Sequence, residues 1–293
     1  MTTPVLTVPP WLPPAQVVTL AGCGEVFVRR HQHATPDGPT LLLLHGWTAS
    51  ADLQFLTAYE ALAQQWSFVG VDHRGHGRGL RPPVPFTLED CADDAASVVR
   101  AMGVGPVIVV GYSMGGPIAL HLAARHPDVV AGLVLQATAL EWRATRRERA
   151  QWRFLRLMGW TLRHFAYPRW LQRGVERLIH ADHELSPYLP WMLGEMRRND
   201  PWMVIEAGRA LSSYDARPWA STLKVPAAVM VTTRDRLVRP RKQRALAEAV
   251  GAHRRIVPVD GDHLVPWEHP DRFAEGTVAA VRLVCQALAS SDD

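Results

Sequence analysis

Short, unbroken apolar runs recur along the chain, and the clearest is Leu41-Leu42-Leu43-Leu44, bounded by Pro39 and Gly46. Such a run is the mark of a strand buried on both faces of a parallel sheet. The same kind of run appears at Phe68 to Val71, Val107 to Val110, Leu133 to Leu135 and Ala227 to Val231. Between them, apolar residues at helical spacing predict helices over Asp52 to Gln65, Leu88 to Met102, Met114 to Arg125 and Arg241 to Val250. Strands alternating with helices imply right-handed crossovers, hence an α/β fold with a mostly parallel central sheet and helices on both faces. Ahead of this pattern, Gln16 to Leu20 and Glu25 to Arg30 flank Gly22-Cys23-Gly24 and predict a hairpin. A dinucleotide-binding fold of the same layer type would want G-x-G-x-x-G after an early strand. The first buried run is followed instead by His45-Gly46-Trp47.

One interval breaks the rhythm. Between Gln136 and Val225 there is no buried strand pattern, and the gap is too long for a simple connection. Glu141 to Ala166, Pro190 to Arg198 and Pro201 to Leu211 predict helices there. The domain reading is a core formed by residues 1–137 and 217–293, interrupted by a helical cap insertion over residues 138–216, where a lid would cover the strand ends.

Composition changes this picture in one place. With 293 residues, 47% hydrophobic and 20% charged, the chain has an ordinary globular profile, which excludes disorder and fibrous repeats. Lys224 and Lys242 are the only lysines, so 30 of the 32 basic residues are arginine. Glu141 to Ala216 holds 13 arginines against nine acids, which accounts for the whole net charge of +4, and six of the 11 tryptophans. The rest of the chain is neutral by count, which removes the main support for nucleic-acid binding. On a helix, Arg146, Arg149, Arg153, Arg156 and Arg163 form one stripe, with Trp152, Phe154, Leu155, Leu157 and Met158 over much of the remaining surface. That helix suits either a roof over a pocket with a solvated arginine face or peripheral contact with an anionic lipid surface. Cys23, Cys91 and Cys285 give neither a disulfide framework nor zinc-ligand spacing. Met1 to Pro14 lacks the basic and apolar regions of a secretory signal, and no apolar run is long enough to span a membrane, so a cytoplasmic location is expected. The pairs His31/His33 and His180/His183 have no evident third ligand, so no metal and no cofactor are expected.

Gly111-Tyr112-Ser113-Met114-Gly115 follows the run Val107 to Val110 and precedes a helix whose Pro117 falls in the tolerated first turn. A serine at such a strand-to-helix turn is held in a strained conformation, and the flanking glycines remove side chains that would collide. Here the chain resembles the α/β-hydrolase fold family, from about Thr40 to Leu288. The resemblance implies an acid after a later strand and a histidine after the last one. Asp235, after Ala227 to Val231, and His263, after Arg255 to Val259, occupy those places.

The implied roles follow from the chemistry of a weak nucleophile. Ser113 needs a base to take its proton, His263 supplies it, and Asp235 orients the ring and stabilises the imidazolium. Asp262 is the competing acid, but sequence neighbours rarely face each other's side chains. His45-Gly46-Trp47 resembles the family's oxyanion loop, which assigns the oxyanion donors to the backbone N–H groups of Trp47 and Met114. His45 reads as a structural histidine. The side chains of Trp47, Tyr112 and Leu264 are the expected pocket walls. Asp72 to Gly79 reads as a structural turn, since it lacks the ending of a phosphate loop. A serine at 113 implies acyl chemistry rather than the alkyl-ester route of the family's aspartate nucleophiles. The expected substrate is a small apolar carboxylic ester, of an acyl or aryl group, or a lipid such as a monoacylglycerol. Carbon–carbon hydrolysis of ring-fission products and cofactor-free perhydrolysis share the triad, although the former group typically has Trp where this chain has Leu264. A non-catalytic small-ligand binder is the alternative of a different class.

Overall fold

The computed structural model describes residues 7–143, 146, 149–150, 152–153, 175–180 and 182–290. Eight strands, β1 (Ala15–Leu20), β2 (Gly24–His31), β3 (Leu41–Leu44), β4 (Phe68–Val71), β5 (Val107–Tyr112), β6 (Val130–Gln136), β7 (Ala227–Thr232) and β8 (Ile256–Val259), form one sheet in the order β1-β2-β4-β3-β5-β6-β7-β8. The β1–β2 hairpin pairs antiparallel and adds to β4 antiparallel, and every pairing from β4 to β8 is parallel. All four leucines of β3 are fully buried. Leu42 and Leu44 enter one core, against Ala92, Val99 and Ile118, while Leu41 and Leu43 enter the other, against Phe55, Tyr59 and Phe273. A strand covered on both faces has no polar position to spare, which is why it reads as an unbroken apolar run.

The helices of the core are α1 (Ala51–Phe55), α2 (Tyr59–Ala63), α3 (Leu88–Met102), α4 (Gly115–Arg125), α7 (Pro240–Ala249), α8 (Val265–Glu268) and α9 (Pro270–Ala289), with α5 (Leu189–Met196) and α6 (Pro201–Ser213) in the interval between β6 and β7. α3 starts with a capping box, in which Thr87 and Asp90 satisfy each other's backbone N–H, and stops at Gly103 in the left-handed conformation. One helix differs from the sequence expectation. The stretch Asp52 to Gln65 is two short helices, because the Leu56 carbonyl accepts from Trp11 Nε1 (2.8 Å) and the Thr57 hydroxyl donates to Pro266 O (3.0 Å) at the break. The helical C-terminal stretch is divided at His269, which precedes Pro270 and takes φ −142°.

The predicted helices Pro190 to Arg198 and Pro201 to Leu211 correspond to α5 and α6. The inner face of α5 joins a third apolar cluster, in which Trp191, Met192 and Met196 pack with Leu53 and Leu56 of the core, while Met203, Ala207 and Leu211 of α6 join the first. The interval opens and closes side by side: Glu141 bridges to Asp215, and Ala216 N–H donates to Leu140 O (2.8 Å). Of the arginine stripe, Arg156 and Arg163, with Phe154, Leu155, Leu157, Met158, Trp160 and Trp170, lie outside the described residues, as does most of the helix predicted over Glu141 to Ala166. Arg146, Arg149 and Arg153 are exposed. Among the described residues no helix is long and apolar enough to cross a membrane.

Candidate active site

Strand β5 ends at Tyr112 and α4 begins at Gly115, which leaves Ser113 at the apex of a tight turn with φ 51°. A serine in the left-handed region stores roughly 1–3 kcal/mol, so the surroundings must hold it there. Two backbone bonds do so: Ser113 N–H donates to Gln136 O (2.8 Å) on β6, and Ser113 O accepts from Gly116 N–H (3.0 Å). The glycines are fixed by close approach. A Cβ on Gly111 would run into the Gly115 carbonyl, and one on Gly115 into the carbonyls of Leu44 and His45 on β3 and its loop.

Three loops at the carboxyl ends of the strands bring the predicted residues together. His263 Nε2 lies 3.0 Å from Ser113 Oγ, and His263 Nδ1 lies 2.8 Å from Asp235 Oδ2. With the carboxylate on one side, the ring proton belongs on Nδ1, which leaves Nε2 as the acceptor for the serine proton. The Asp235 side chain is completely buried. Its charge is met by four donors besides the imidazole: Leu237 N–H (2.9 Å) and Val238 N–H (2.7 Å) on Oδ1, and the Thr232 hydroxyl (2.9 Å) and Gln243 Nε2 (3.3 Å) on Oδ2. Asp262 is turned elsewhere, accepting from the N–H groups of Arg236 and His263. Tyr112 donates its hydroxyl proton to His263 O (2.8 Å), and burial raises its pKa well above the usual phenol value, so it stays a donor. Thr232 and Gln243 escaped sequence reasoning. Gln243 stands on α7 with no motif around it, and only the depth of Asp235 explains a buried amide there.

The loop after β3 faces the turn at Ser113. Ala49 N–H donates to Gly46 O (3.3 Å), and Thr48 takes φ 64°, which closes a turn with Trp47 and Thr48 at its corners. Among the described residues, neither Trp47 N–H nor Met114 N–H donates a hydrogen bond. His45 is buried. Its Nδ1 donates to Gly46 O (2.7 Å) and its Nε2 accepts from His73 N–H (2.9 Å), an arrangement only the neutral ring can make. Burial, with His73 and His76 close by, accordingly lowers its pKa well below the usual imidazole value.

Behind this loop, Asp72 accepts from Ala51 N–H (2.7 Å) at the start of α1 and from Arg78 N–H (2.8 Å), and Arg74 pairs with Asp94 on α3. The segment Asp72 to Gly79 is thus a structural turn. The histidine pairs also have local partners: His31 bonds to Ala63 O, His33 accepts from Thr35 N–H and His183 accepts from Leu185 N–H.

Two cavities meet at Ser113. The larger, about 380 Å³, is walled chiefly by apolar side chains, including Trp47, Leu178, Met196, Leu264 and Trp267. The smaller, about 220 Å³, opens on the other side toward Trp142, Trp152 and Leu237. Trp47, Thr48, Ser113, His263 and Leu264 border both. Tyr112 borders the larger only, where its ring contributes wall.

Residues 39–270 match the family model described as alpha/beta hydrolase fold. The chain belongs to the α/β-hydrolase fold family. Among curated relatives it is 29% identical over 271 residues to a pimeloyl-[acyl-carrier protein] methyl ester esterase of Stenotrophomonas maltophilia, covering 89% of this chain and 98% of that protein. It is 28% identical over 253 residues to the protein of the same name from Neisseria meningitidis, covering 84% and 95%. Among solved structures, an esterase from Exiguobacterium antarcticum superposes with a TM-score of 0.76 over 92% of this chain and all of that one, at 19% identity, a likeness of fold. Family and relatives together support a hydrolase activity.

Proposed function

We propose that this chain is a serine hydrolase that cleaves carboxylic esters of apolar acyl or aryl groups through an acyl-enzyme. The observation that carries the reading is the continuous chain from Ser113 Oγ through His263 to Asp235, standing where two cavities meet. His263 Nε2 takes the serine proton as Oγ attacks the ester carbonyl. The oxygen of the tetrahedral intermediate takes up the negative charge, facing the N–H groups of Trp47 and Met114, each donor being typically worth ~10²–10³ in rate. The imidazolium, stabilised by Asp235, returns the proton to the departing alkoxide, and water then repeats the cycle on the acyl-enzyme.

The apolar walls favour an apolar acyl or aryl group in the larger cavity, with the alcohol in the smaller. Residues 138–216 act in this reading as a cap, since the larger cavity is closed partly by Leu178 and Met196. A panel of p-nitrophenyl esters of increasing acyl length tests the proposal. The wild-type chain turns over the short and medium esters, and Ser113→Ala abolishes turnover while leaving the melting temperature close to wild type. Equal turnover by Ser113→Ala, or none by the wild type on any ester, contradicts it.

A further inference from the structure

The buried amide of Asn199 lies in the four-residue link from Arg197 to Asp200, between α5 and α6, and reaches into the core from the proposed cap. Asn199 is 3% exposed. Its Nδ2 donates to Thr48 O (2.7 Å), and its Oδ1 accepts from Gly77 N–H (2.7 Å). The amide cannot be turned over, because exchange would set an oxygen against the Thr48 carbonyl and an NH₂ against the Gly77 N–H. Thr48 has φ 64° and follows Trp47, whose N–H is a proposed oxyanion donor. A threonine at the second corner of this turn sits where glycine is favoured, so the conformation persists only while its surroundings hold it.

Asn199 is well placed to hold it. The same stretch of chain grips the loop again a turn later, where Trp47 Nε1 donates to Val204 O (2.7 Å) on α6. The adjoining Asp200 N–H donates to Gly75 O (2.8 Å), and Arg81 Nη2 joins Gly77 O (2.7 Å) to Arg198 O (2.6 Å). The segment from Asn199 to Val204 is therefore clamped to two core loops at once, and one of these carries Trp47.

We infer that Asn199 is a positioning residue for the oxyanion site: through Thr48 it fixes the peptide group of Trp47, so that seating of the cap and assembly of the oxyanion donors are one event. Asn199 borders neither cavity, so ground-state binding does not depend on it. The inference rests on the serine-hydrolase reading, and the two fail differently.

Asn199→Ala lowers kcat on p-nitrophenyl butyrate by about 10- to 100-fold, the order expected for a misplaced donor, and leaves KM within about twofold. Affinity for phenylboronic acid, which forms a tetrahedral adduct on the serine, falls in parallel with kcat. Arg198→Ala, which removes the exposed arginine paired with Glu195 (3.0 Å) and leaves that carboxylate paired with Arg78, is the control and leaves both unchanged. Asn199→Asp keeps the acceptor for Gly77 and donates to Thr48 only when its carboxyl is protonated. Its activity relative to wild type therefore rises as pH is lowered, a trend that loss of folding alone would not give, and this measurement stands if the alanine variant does not fold. Unchanged kcat and boronate affinity in Asn199→Ala, or a flat activity ratio across pH in Asn199→Asp, overturns the inference while the wild type remains active. A wild type that turns over no ester removes the underlying reading instead.

Discussion

Replacing Asp235 with asparagine keeps the shape of the side chain and inverts what it offers His263. Leu237 N–H and Val238 N–H, at 2.9 and 2.7 Å, both point at Oδ1, so the amide oxygen of Asp235→Asn settles there. Its NH₂ then occupies the Oδ2 position, 2.8 Å from His263 Nδ1. An NH₂ group can only donate to that nitrogen, which moves the imidazole proton to Nε2, the atom 3.0 Å from Ser113 Oγ. The base becomes a donor facing the nucleophile, and the imidazolium loses its counter-charge. Together these cost about 10⁴-fold in kcat, or about 5 kcal/mol of barrier. Asp235 borders neither cavity, so KM stays within a small factor of wild type. Steady-state turnover of p-nitrophenyl butyrate gives both numbers, and thermal unfolding confirms that the variant is folded. A kcat within tenfold of wild type would refute the assignment of Asp235 and return Asp262 to consideration.

Two further predictions concern the frame around the site. Gly115→Ala drives a Cβ into backbone carbonyls of β3 and its loop, which cannot yield as a side chain would. A destabilisation of about 1–3 kcal/mol is expected in urea unfolding, together with loss of turnover, and a variant as stable and active as wild type would contradict the close approach. Acid should also unfold the chain earlier than an average globular protein. His45, His73 and His76 are buried, and burial holds His73 down to about 3, His76 down to about 4 and His45 well below its ordinary value. As pH falls below about 6.5, the unfolded chain takes up three protons on these rings that the folded chain refuses, which costs stability. Asp72 acts the other way: burial raises it to about 6, so the folded form takes up one proton earlier than the unfolded form. The three rings outweigh the one carboxyl, so stability falls as pH drops between about 6 and 4.5. Urea midpoints measured across that window should fall with pH, and constant or rising midpoints would refute the account of the three rings.

The fold was legible because its strands are covered on both faces. Burial of that kind writes an unbroken apolar run into the chain, and the glycines around Ser113 form a local motif even though the carbonyls that Gly115 must clear belong to Leu44 and His45. The places of Ser113 and Asp235 were readable for the same reason, since each follows a strand buried throughout, whereas β8, ahead of His263, is only partly buried. The loop proposed for the oxyanion was marked by its position after β3, but what holds it was not. Asn199 lies 151 residues from Thr48, and a lone asparagine carries no local pattern that marks a long-range bond. Gln243 is hidden in the same way, being an ordinary helix residue until Asp235 is seen buried against it. The break between α1 and α2 also has a remote origin, in Trp11 and Pro266, whose groups take the backbone and side-chain bonds at Leu56 and Thr57. Local sequence records periodicity and close approach well, and it records partners brought together from a distance poorly.

The central claim is that Ser113 is a nucleophile activated by His263. Incubation of the folded wild-type chain with a fluorophosphonate, followed by peptide mass spectrometry, tests it most directly. The account predicts a single stoichiometric adduct on the peptide containing Ser113, formed in step with loss of ester turnover and strongly slowed in His263→Ala. A folded chain that hydrolyses esters while Ser113 stays unlabelled, or that is labelled equally fast without His263, would contradict it.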